Sequence, residues 1–208
     1  MIAIIDYGMG NLRSVQKGFE FVGADARVTS SQNEILDANA VVLPGVGAFR
    51  DCIKNLERFN LVDTVKRSAY SGKPFLGICL GLQLLFSQSE EFGEISGLDI
   101  LPGRVKRFPK SKSGDKEFLK IPHMGWNRAH LCKNSPLFDS IQDSSYFYFV
   151  HSYYVVPKDP EVCVTKTHHG IDFVSGIQSE NIHAFQFHPE KSQKDGLQIL
   201  KSFSELGD

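Results

Sequence analysis

The chain lacks the features that mark membrane proteins, nucleic-acid-binding surfaces and secreted domains. No stretch approaches the roughly 20 consecutive apolar residues needed to span a bilayer. The 23 lysines and arginines are balanced by 24 aspartates and glutamates, and the formal net charge of −1 argues against a nucleic-acid partner. The opening residues have no basic leader and too short an apolar run for a signal peptide. We therefore expect a cytoplasmic protein.

Cysteine is scarce and scattered, which bears on both redox chemistry and metal binding. None of the four cysteines forms a C-x-x-C pair, so reduced thiols are favoured over disulfides. The adjacent His168 and His169 would point in opposite directions on a strand, and no cysteine or carboxylate stands at ligand spacing from them. We expect no metal site and no cofactor.

What is present is the composition of one ordinary folded domain. The 208 residues are 41% hydrophobic and 23% charged, which supplies ample apolar material for a core. The polar stretch 110–116 is too short to be a domain linker, and we find no internal repeat or low-complexity tract. We expect a single domain over residues 1–208.

The first half alternates between short apolar strands and helices. Strands are predicted at residues 2–5, 26–28, 40–43 and 74–79, and helices at about 11–22, 49–56, 61–71 and 82–86. Near-continuous apolar strands separated by helices are typical of a parallel sheet with helices on both faces. Ligands of such sheets bind beyond the carboxyl ends of the strands, where residues 6–8, residues 44–47 and Cys79 stand.

After about residue 97, aromatic and β-branched segments follow one another at hairpin-like spacing. Strands are predicted at residues 105–108, 117–121, 146–156, 162–168, 173–178 and 182–187, and a closing helix at about 193–206. The whole pattern predicts an α/β fold with a parallel core sheet and an antiparallel or mixed β-rich extension in the second half.

A candidate nucleophile, Cys79, stands where a buried strand turns directly into a helix. Gly77 and Gly81 flank it and give the backbone room for a tight turn. The N-terminus of the following helix favours a thiolate, and a neighbouring histidine could take the thiol proton. A cysteine that ends an apolar strand is more often a small buried hydrophobe, so this turn does not decide the function by itself.

The run His188-Pro189-Glu190 supplies a base and a carboxylate that can orient it. Residues two apart in an extended segment point the same way, so Glu190 can hold the imidazole of His188. A lone His-Pro-Glu is usually a loop, but together with Cys79 it gives a nucleophile, a base and an orienting group. That combination predicts acyl transfer through a thioester.

Longer runs make the chain resemble the class I, triad-type glutamine amidotransferases, and within them the glutaminase subunits of imidazole glycerol phosphate synthase. The cysteine turn and the His-Pro-Glu are shared across the family. The more selective runs span nearly the whole chain: Asp6–Ser14, Leu43–Phe49, Ile121–Asn127, Phe149–Tyr153 and Phe185–Ser192. No motif position departs from the family pattern.

The resemblance implies a flavodoxin-like amidotransferase fold and hydrolysis of glutamine to glutamate and ammonia. Cys79 would attack the side-chain amide, and His188, held by Glu190, would protonate the departing ammonia and then activate water. The turn geometry makes the N–H of Leu80 one oxyanion donor, and Val46 and Gly47 match the family's second.

For glutamine binding, the resemblance implies four residues: Gly45, Gln83, Ser152 and Tyr153. Without it, Ser152 and Tyr153 would be taken as a strand surface, and the Pro-Gly-Val-Gly run at 44–47 as a plain strand-to-helix turn.

A glutaminase that releases ammonia to solvent wastes it, so a partner is implied. By resemblance the partner is a TIM-barrel cyclase subunit in a heterodimer, which makes imidazole glycerol phosphate and aminoimidazole carboxamide ribotide in histidine biosynthesis. The residues that match partner-facing family positions are Tyr7, Asn11, Trp126 and Lys191.

Two other functions remain open at this point. The chain could be a paralogous glutaminase that feeds another synthase, such as one that amidates a surface sugar. It could also be a non-catalytic regulatory module, although the intact Cys79, His188 and Glu190 count against this. We further predict low activity until the partner docks, because glycines beside Val46 permit its peptide to turn a carbonyl or an N–H toward the oxyanion.

Overall fold

The computed structural model describes residues 1–109 and 119–207. Fourteen β-strands and six α-helices lie in these two ranges. In chain order they are β1 (Ile2–Ile5), α1 (Leu12–Phe21), β2 (Ala26–Thr29), α2 (Gln32–Asp37), β3 (Ala40–Gly45), α3 (Phe49–Arg58), α4 (Val62–Ala69), β4 (Phe75–Cys79), α5 (Leu80–Leu84), β5 (Phe86–Ser89), β6 (Ile95–Ser96), β7 (Leu101–Arg107), β8 (His123–Arg128), β9 (His130–Leu131), β10 (Tyr146–His151), β11 (Tyr153–Pro157), β12 (Cys163–His169), β13 (Ile171–Ser179), β14 (Ile182–Phe185) and α6 (Gln193–Glu205). The polar stretch 110–116 and residues 117 and 118 of the predicted strand 117–121 lie outside the described residues, and residues 119–121 do not form a strand.

One large mixed sheet carries the fold, in the order β2-β1-β3-β4-β14-β13-β11-β7-β5-β6, with β12 and β9 paired beside β13. The first five strands of this order run parallel. From β14 onward, β13, β11 and β7 pair antiparallel. A separate antiparallel ribbon consists of β8 and β10. The predicted α/β fold, with a parallel core and an antiparallel extension, is confirmed.

The parallel strands are buried on both faces because helices cover each side of the sheet. Every residue of β1, β3 and β4 is buried. Since side chains alternate along a strand, the odd-numbered residues of β1 and β3 pack with α3 and α4, while the even-numbered ones pack with α1 and α6. The two hydrophobic cores fix the sheet, and the carboxyl ends of its strands meet at one edge.

Three details differ from the sequence predictions, each because of pairing with distant residues. The helix predicted at 82–86 ends at Leu84, since Phe86 enters the sheet opposite Leu101. The strand predicted at 146–156 is two strands in different sheets, β10 and β11, which separate at Ser152. Five elements were missed: α2, a short helix with the single buried residue Ile35, and the short strands β5, β6, β8 and β9.

Candidate active site

Cys79 occupies a strained turn in which β4 passes into α5 without a loop. Its backbone angles are φ 56° and ψ −110°, and a side chain in that left-handed region costs of order 1–3 kcal/mol. Neighbouring glycines make the turn possible. A Cβ on Gly81 would lie 1.9 Å from the carbonyl oxygen of Leu43, and one on Gly77 would lie 2.9 Å from Cβ of Ala184. The close approach of β3 and β14 therefore requires glycine at both positions.

His188 and Glu190 reach Cys79 because they follow β14, the strand that runs parallel beside β4. The Nδ1 atom of His188 lies 2.8 Å from Oε1 of Glu190, and the two side chains are only 3% and 1% exposed. The sequence argument placed both residues on an extended segment. In the structure a 3-10 turn over Pro189–Lys191 follows the histidine, and the carboxylate reaches back to the ring.

The surroundings of His188 keep its ring charged and aim Nε2 at the site. Burial lowers the pKa of His188, but the charge of Cys79 and the charge and hydrogen bond of Glu190 outweigh burial and raise that pKa to about 10. In the part of the chain that the structure describes, Nε2 has no hydrogen-bond partner. An imidazolium beside a cysteine favours the nucleophilic thiolate.

Cys79 and His188 both line one cavity of about 280 Å³. Ligand sites for drug-sized molecules run from roughly 300 to 1,000 Å³, so this cavity suits a molecule the size of an amino acid. Among the predicted site residues, it brings together the following: Val46, Gly47, Cys79, Leu80, Gln83, Ser152, Tyr153 and His188.

Gly45, predicted to bind glutamine, is not among the lining residues. It pairs with Cys79 across β3 and β4. A Cβ at this position would lie 2.9 Å from Cβ of Leu80 and 3.0 Å from the nitrogen of Gly81. The structure therefore places Gly45 in close contact with the nucleophile turn, where it sets the distance between the two strands.

The residues predicted to form the oxyanion hole, Leu80 and the Val46–Gly47 segment, line the same cavity as Cys79. Leu80 is the first residue of α5, and the first N–H groups of a helix have no partner within it. Val46 and Gly47 follow β3, and Gly47 has a φ of 91°. The carbonyl oxygen of Val46 accepts a hydrogen bond from the thiol of Cys52 at 3.6 Å. Thus the Val46 carbonyl is held toward α3.

Gln83 is part of a buried amide pair that the sequence did not reveal. Its Nε2 donates to the carbonyl oxygen of Tyr153 at 3.1 Å and to Oε1 of Gln186 at 3.0 Å. The Nε2 of Gln186 in turn lies 3.8 Å from the sulfur of Cys79. Gln186 is fully buried. Through Gln83, it connects the nucleophile with the strand that carries Tyr153.

Four further lining residues were missed: Glu91, Pro122, Val150 and His151. Oε2 of Glu91 accepts the N–H of Phe49 at 2.7 Å, at the start of α3. Burial raises the pKa of Glu91. In the sequence, Glu90 and Glu91 resemble an ordinary surface pair. Glu91 lies two residues after β5, and only the folded chain shows that it lines the cavity.

Of the predicted partner-facing residues, Asn11, Trp126 and Lys191 are exposed. The prediction for Tyr7 is wrong because its side chain is fully buried, and its hydroxyl donates to the carbonyl oxygen of Pro44 at 2.7 Å. Tyr7 lies two residues after the buried strand β1, and its aromatic ring packs into the hydrophobic core that also contains Cys52 of α3.

The described residues also bear on metal and membrane binding. Residues 1–109 and 119–207 contain no cluster of three or more side chains able to hold a metal ion. No helix in these ranges is long and apolar enough to cross a membrane. His168 pairs with Asp172 at the surface, whereas His169 stacks on His123 at a centroid distance of 4.2 Å.

The sequence matches known families and proteins over nearly its full length. The family described as "Glutamine amidotransferase class-I" matches residues 3–205. "Imidazole glycerol phosphate synthase subunit HisH" from Syntrophotalea carbinolica is 54% identical over 206 residues, which is 99% of this chain and 100% of that protein. The proteins of that name from Geobacter sulfurreducens and Aquifex aeolicus are 53% and 52% identical, over 99% and 96% of this chain and 98% and 94% of theirs.

Solved structures match the fold at much lower identity. A crystal structure of a glutamine amidotransferase superposes with a TM-score of 0.72 at 16% identity, covering 100% of this chain and 99% of that one. The structure of PurLQS from Thermotoga maritima gives 0.73 at 17% identity, covering 97% and 96%. These two resemblances concern the fold alone.

Proposed function

This chain belongs to the class I glutamine amidotransferases, and we propose that it hydrolyses glutamine with Cys79, His188 and Glu190. It is the glutaminase subunit of an imidazole glycerol phosphate synthase in histidine biosynthesis, as its full-length relatives at 52–54% identity are. The observation that supports the residue assignment is one cavity lined by Cys79, on its strained turn, and by His188, whose ring is held from behind by the buried carboxylate of Glu190. Since the nucleophile must remain a reduced thiol, we place the enzyme in the cytoplasm.

Acylation begins with attack of the Cys79 thiolate on the side-chain amide carbon of glutamine. The imidazolium of His188 then donates its Nε2 proton to the departing nitrogen, and ammonia leaves as the carbon–nitrogen bond breaks. Glu190 holds the opposite ring nitrogen, so the ring keeps its orientation while it changes charge. The product of this step is a γ-glutamyl thioester on Cys79.

Deacylation uses the change in charge that acylation causes. The thioester sulfur carries no charge, so one of the two groups that raise the pKa of His188 is lost. The neutral ring can now take a proton from water at Nε2. The resulting hydroxide attacks the thioester carbon, glutamate leaves, and the thiolate and imidazolium are restored.

The tetrahedral intermediates of both steps carry an oxyanion that needs N–H donors. We assign the Leu80 N–H and an N–H of the Val46–Gly47 segment, which line the same cavity. One missing donor of this kind lowers turnover by roughly 10²–10³-fold. Control over the second donor would therefore be enough to keep the isolated subunit nearly idle.

The remaining polar groups of the cavity fit the charged end of glutamine. We assign Ser152 and Tyr153 to its carboxylate and amino groups and Gln83 to its polar atoms. Glu91 is the carboxylate that lines the cavity, and we assign it to the positively charged α-amino group. Gly45 contributes indirectly: having no side chain, it lets β3 approach the Cys79 turn closely.

The partner that we propose is a TIM-barrel cyclase subunit in a heterodimer. An exposed apolar ribbon supports this: Met124 and Trp126 on β8 are 62% and 46% exposed, and Tyr148 pairs with Trp126 across β10. Aromatic and methionine side chains are enriched at interfaces. The Lys191 ammonium lies 5.9 Å from the ring centre of Tyr148 and extends this surface.

The ribbon also connects the proposed interface with the nucleophile. The carbonyl oxygen of Tyr148 accepts the N–H of His188 at 3.0 Å. The carbonyl of Val150, on the same strand, lies 4.0 Å from the sulfur of Cys79. A partner seated on β10 would thus contact the strand that supports both catalytic side chains.

The test of this function uses the subunit together with its cyclase partner. We expect Cys79→Ser to lower glutamine-dependent synthesis by about 10⁴-fold or more, because an alcohol is far less nucleophilic than a thiolate. Ammonia supplied directly should still support synthesis, since the cyclase reaction occurs on the other subunit. Substantial glutaminase activity in Cys79→Ser would contradict the assignment of the nucleophile.

The same assay tests gating. We expect low glutaminase activity in the isolated chain and a rise of at least about 10²-fold when the partner and its nucleotide are present. Equal rates for the isolated chain, the complex and the nucleotide-bound complex would instead identify a constitutive glutaminase.

A further inference from the structure

Two buried side chains hold the backbone carbonyls on either side of Gly45. The Tyr7 hydroxyl donates to the carbonyl oxygen of Pro44 at 2.7 Å, and the Cys52 thiol donates to that of Val46 at 3.6 Å. The two side chains are themselves in contact, with 3.6 Å between the Tyr7 oxygen and the Cys52 sulfur. Tyr7 lies two residues after β1, which pairs with β3, and Cys52 lies in α3, which follows the Val46–Gly47 segment.

Burial keeps both donors protonated. Tyr7 and Cys52 are each fully buried. Burial is the largest cause that raises the pKa of Tyr7 well above its usual value and the pKa of Cys52 to about 12. At neutral pH each side chain therefore keeps the hydrogen that it donates. Neither takes part in the chemistry assigned above, so the reaction itself does not explain their positions.

The space around Gly45 shows that this arrangement is tight. A Cβ on Gly45 would lie 2.9 Å from the Tyr7 hydroxyl oxygen and 2.9 Å from Cβ of Leu80. The Tyr7 hydroxyl thus touches the glycine that pairs with Cys79. With the carbonyls of Pro44 and Val46 both held, the orientation of the peptide between Gly45 and Val46 depends on those two anchors.

We propose that Tyr7 and Cys52 are positioning residues for the oxyanion hole, which fix the strand end by holding the carbonyls of Pro44 and Val46. Catalytic donors must be held within about 0.5 Å of the productive geometry. A donor on a segment that has lost one anchor stabilises the transition state less, while ground-state binding of glutamine is unchanged. The inference rests on the glutaminase function proposed above.

The experiment compares Cys52→Ala with the wild-type chain, each in complex with the cyclase subunit and its nucleotide. We expect kcat for glutamine hydrolysis to fall about tenfold or more. Complete loss of one oxyanion donor lowers turnover by roughly 10²–10³-fold, and a displaced donor should cost only part of that. KM should stay within about twofold. Alkylation of Cys79 by iodoacetamide, followed by mass spectrometry, should proceed at the wild-type rate, because that displacement has no tetrahedral oxyanion.

The matched control is Cys163→Ala, which also removes a buried free thiol, but from β12, outside the residues that line the cavity. It should lower thermal stability without changing kcat. If Cys52→Ala and Cys163→Ala have the same kcat as the wild-type complex, the inference is wrong. If the wild-type complex does not hydrolyse glutamine, the proposed function fails instead.

A second variant, Tyr7→Phe, keeps the buried ring and removes only the hydroxyl that holds Pro44. It should give the same signature: a lower kcat, an unchanged KM and unchanged alkylation of Cys79. Because the two anchors touch and act on one peptide, their effects on kcat in the double variant should not add. A wild-type kcat in Tyr7→Phe would show that Tyr7 does not position the oxyanion hole. If alkylation of Cys79 slowed in both variants as much as kcat fell, Tyr7 and Cys52 would only support the fold around Cys79.

Discussion

His123 and His151 share a buried hydrogen bond, with 2.9 Å between Nδ1 of His123 and Nε2 of His151. Nδ1 of His151 donates to the carbonyl oxygen of Tyr153 at 2.8 Å, so its Nε2 must accept from His123. Asn127 completes the chain by donating to Nε2 of His123 at 3.0 Å. The chain works only while both rings are neutral, and it holds the strand that supplies Tyr153 to the site.

This histidine pair predicts a loss of stability in acid. Burial lowers the pKa of His123 and of His151 to about 3, while each has a pKa near 6.5 in the unfolded chain. The unfolded state therefore binds more protons between these values, and the stabilisation is fully present above pH 6.5 and lost as pH falls toward 3. Each ring contributes about 1.4 kcal/mol per pH unit in that window.

Urea unfolding between pH 7.5 and pH 5 checks this expectation. His123→Gln, which keeps a donor and an acceptor, should reduce the pH slope of the free energy of unfolding by about 1.4 kcal/mol per unit. The control is Gln142→Ala, at an exposed residue, which removes no titratable group and should leave the slope unchanged. Equal slopes in all three proteins would mean that His123 titrates normally in the fold.

The charge on Cys79 predicts a shift in the titration of His188. Cys79 and Glu190 together raise the pKa of His188 to about 10 against the effect of burial. In Cys79→Ser the neutral hydroxyl supplies no charge, so the pKa of His188 should fall. NMR of isotope-labelled histidine measures this directly in both proteins. An unchanged pKa would show that Glu190 alone keeps the ring charged.

The carboxylate of Glu190 predicts an effect on turnover without an effect on binding. Glu190→Gln keeps the shape of the side chain but removes the charge that stabilises the imidazolium. We expect kcat to fall by on the order of 10³–10⁴-fold, with KM nearly unchanged. Steady-state kinetics of the complex give both values. A wild-type kcat would reduce Glu190 to a structural role.

The tight turn at Cys79 predicts intolerance to a single methyl group. Gly81→Ala would place its Cβ 1.9 Å from the carbonyl oxygen of Leu43, which forces the backbone of β3 or α5 to move. We expect a loss of about 3 kcal/mol or more in the free energy of unfolding, together with loss of glutaminase activity.

The control for this change is Gly207→Ala. Its Cβ would meet the nearest side-chain atom, Cβ of Ala40, at 3.4 Å, which is close to an ordinary contact. Thermal unfolding and activity of that variant should stay near wild type. If Gly81→Ala were equally well tolerated, the contact between β3 and the nucleophile turn would be looser than the structure has it.

The exposed ribbon predicts the location of the partner. Trp126→Ala should weaken binding of the cyclase subunit by about thirtyfold or more, the effect of an interface residue worth 2 kcal/mol. Isothermal titration calorimetry measures it. Tyr70→Ala, at another exposed aromatic that follows α4 and is 64% exposed, should bind normally. Normal binding by Trp126→Ala would mean that the cyclase subunit binds elsewhere than on β8 and β10.

Local patterns in the sequence determined the core of this fold and the identity of its reactive groups. The apolar runs of β1, β3 and β4 specify buried parallel strands, because a strand that is buried on both faces is apolar throughout instead of alternating between polar and apolar residues. Glycines around Cys79 indicate a tight strand-to-helix turn, since only they permit the close approach found there. The Cys79, His188 and Glu190 set follows from residue type, spacing and the family resemblance.

Only the tertiary structure decided which residues surround that set. Residues 146–156 form one apolar stretch, yet the chain leaves one sheet for another at Ser152, because β10 pairs with β8 and β11 with β7 and β13. Tyr7 lies in a motif whose other residues are exposed or partly buried, and its own burial depends on packing against α3. Glu91 and Gln186 enter the site through hydrogen bonds with residues 42 to 107 positions away, and His151 is held by His123, 28 positions away. Contacts between residues so far apart leave no periodic pattern in the local sequence.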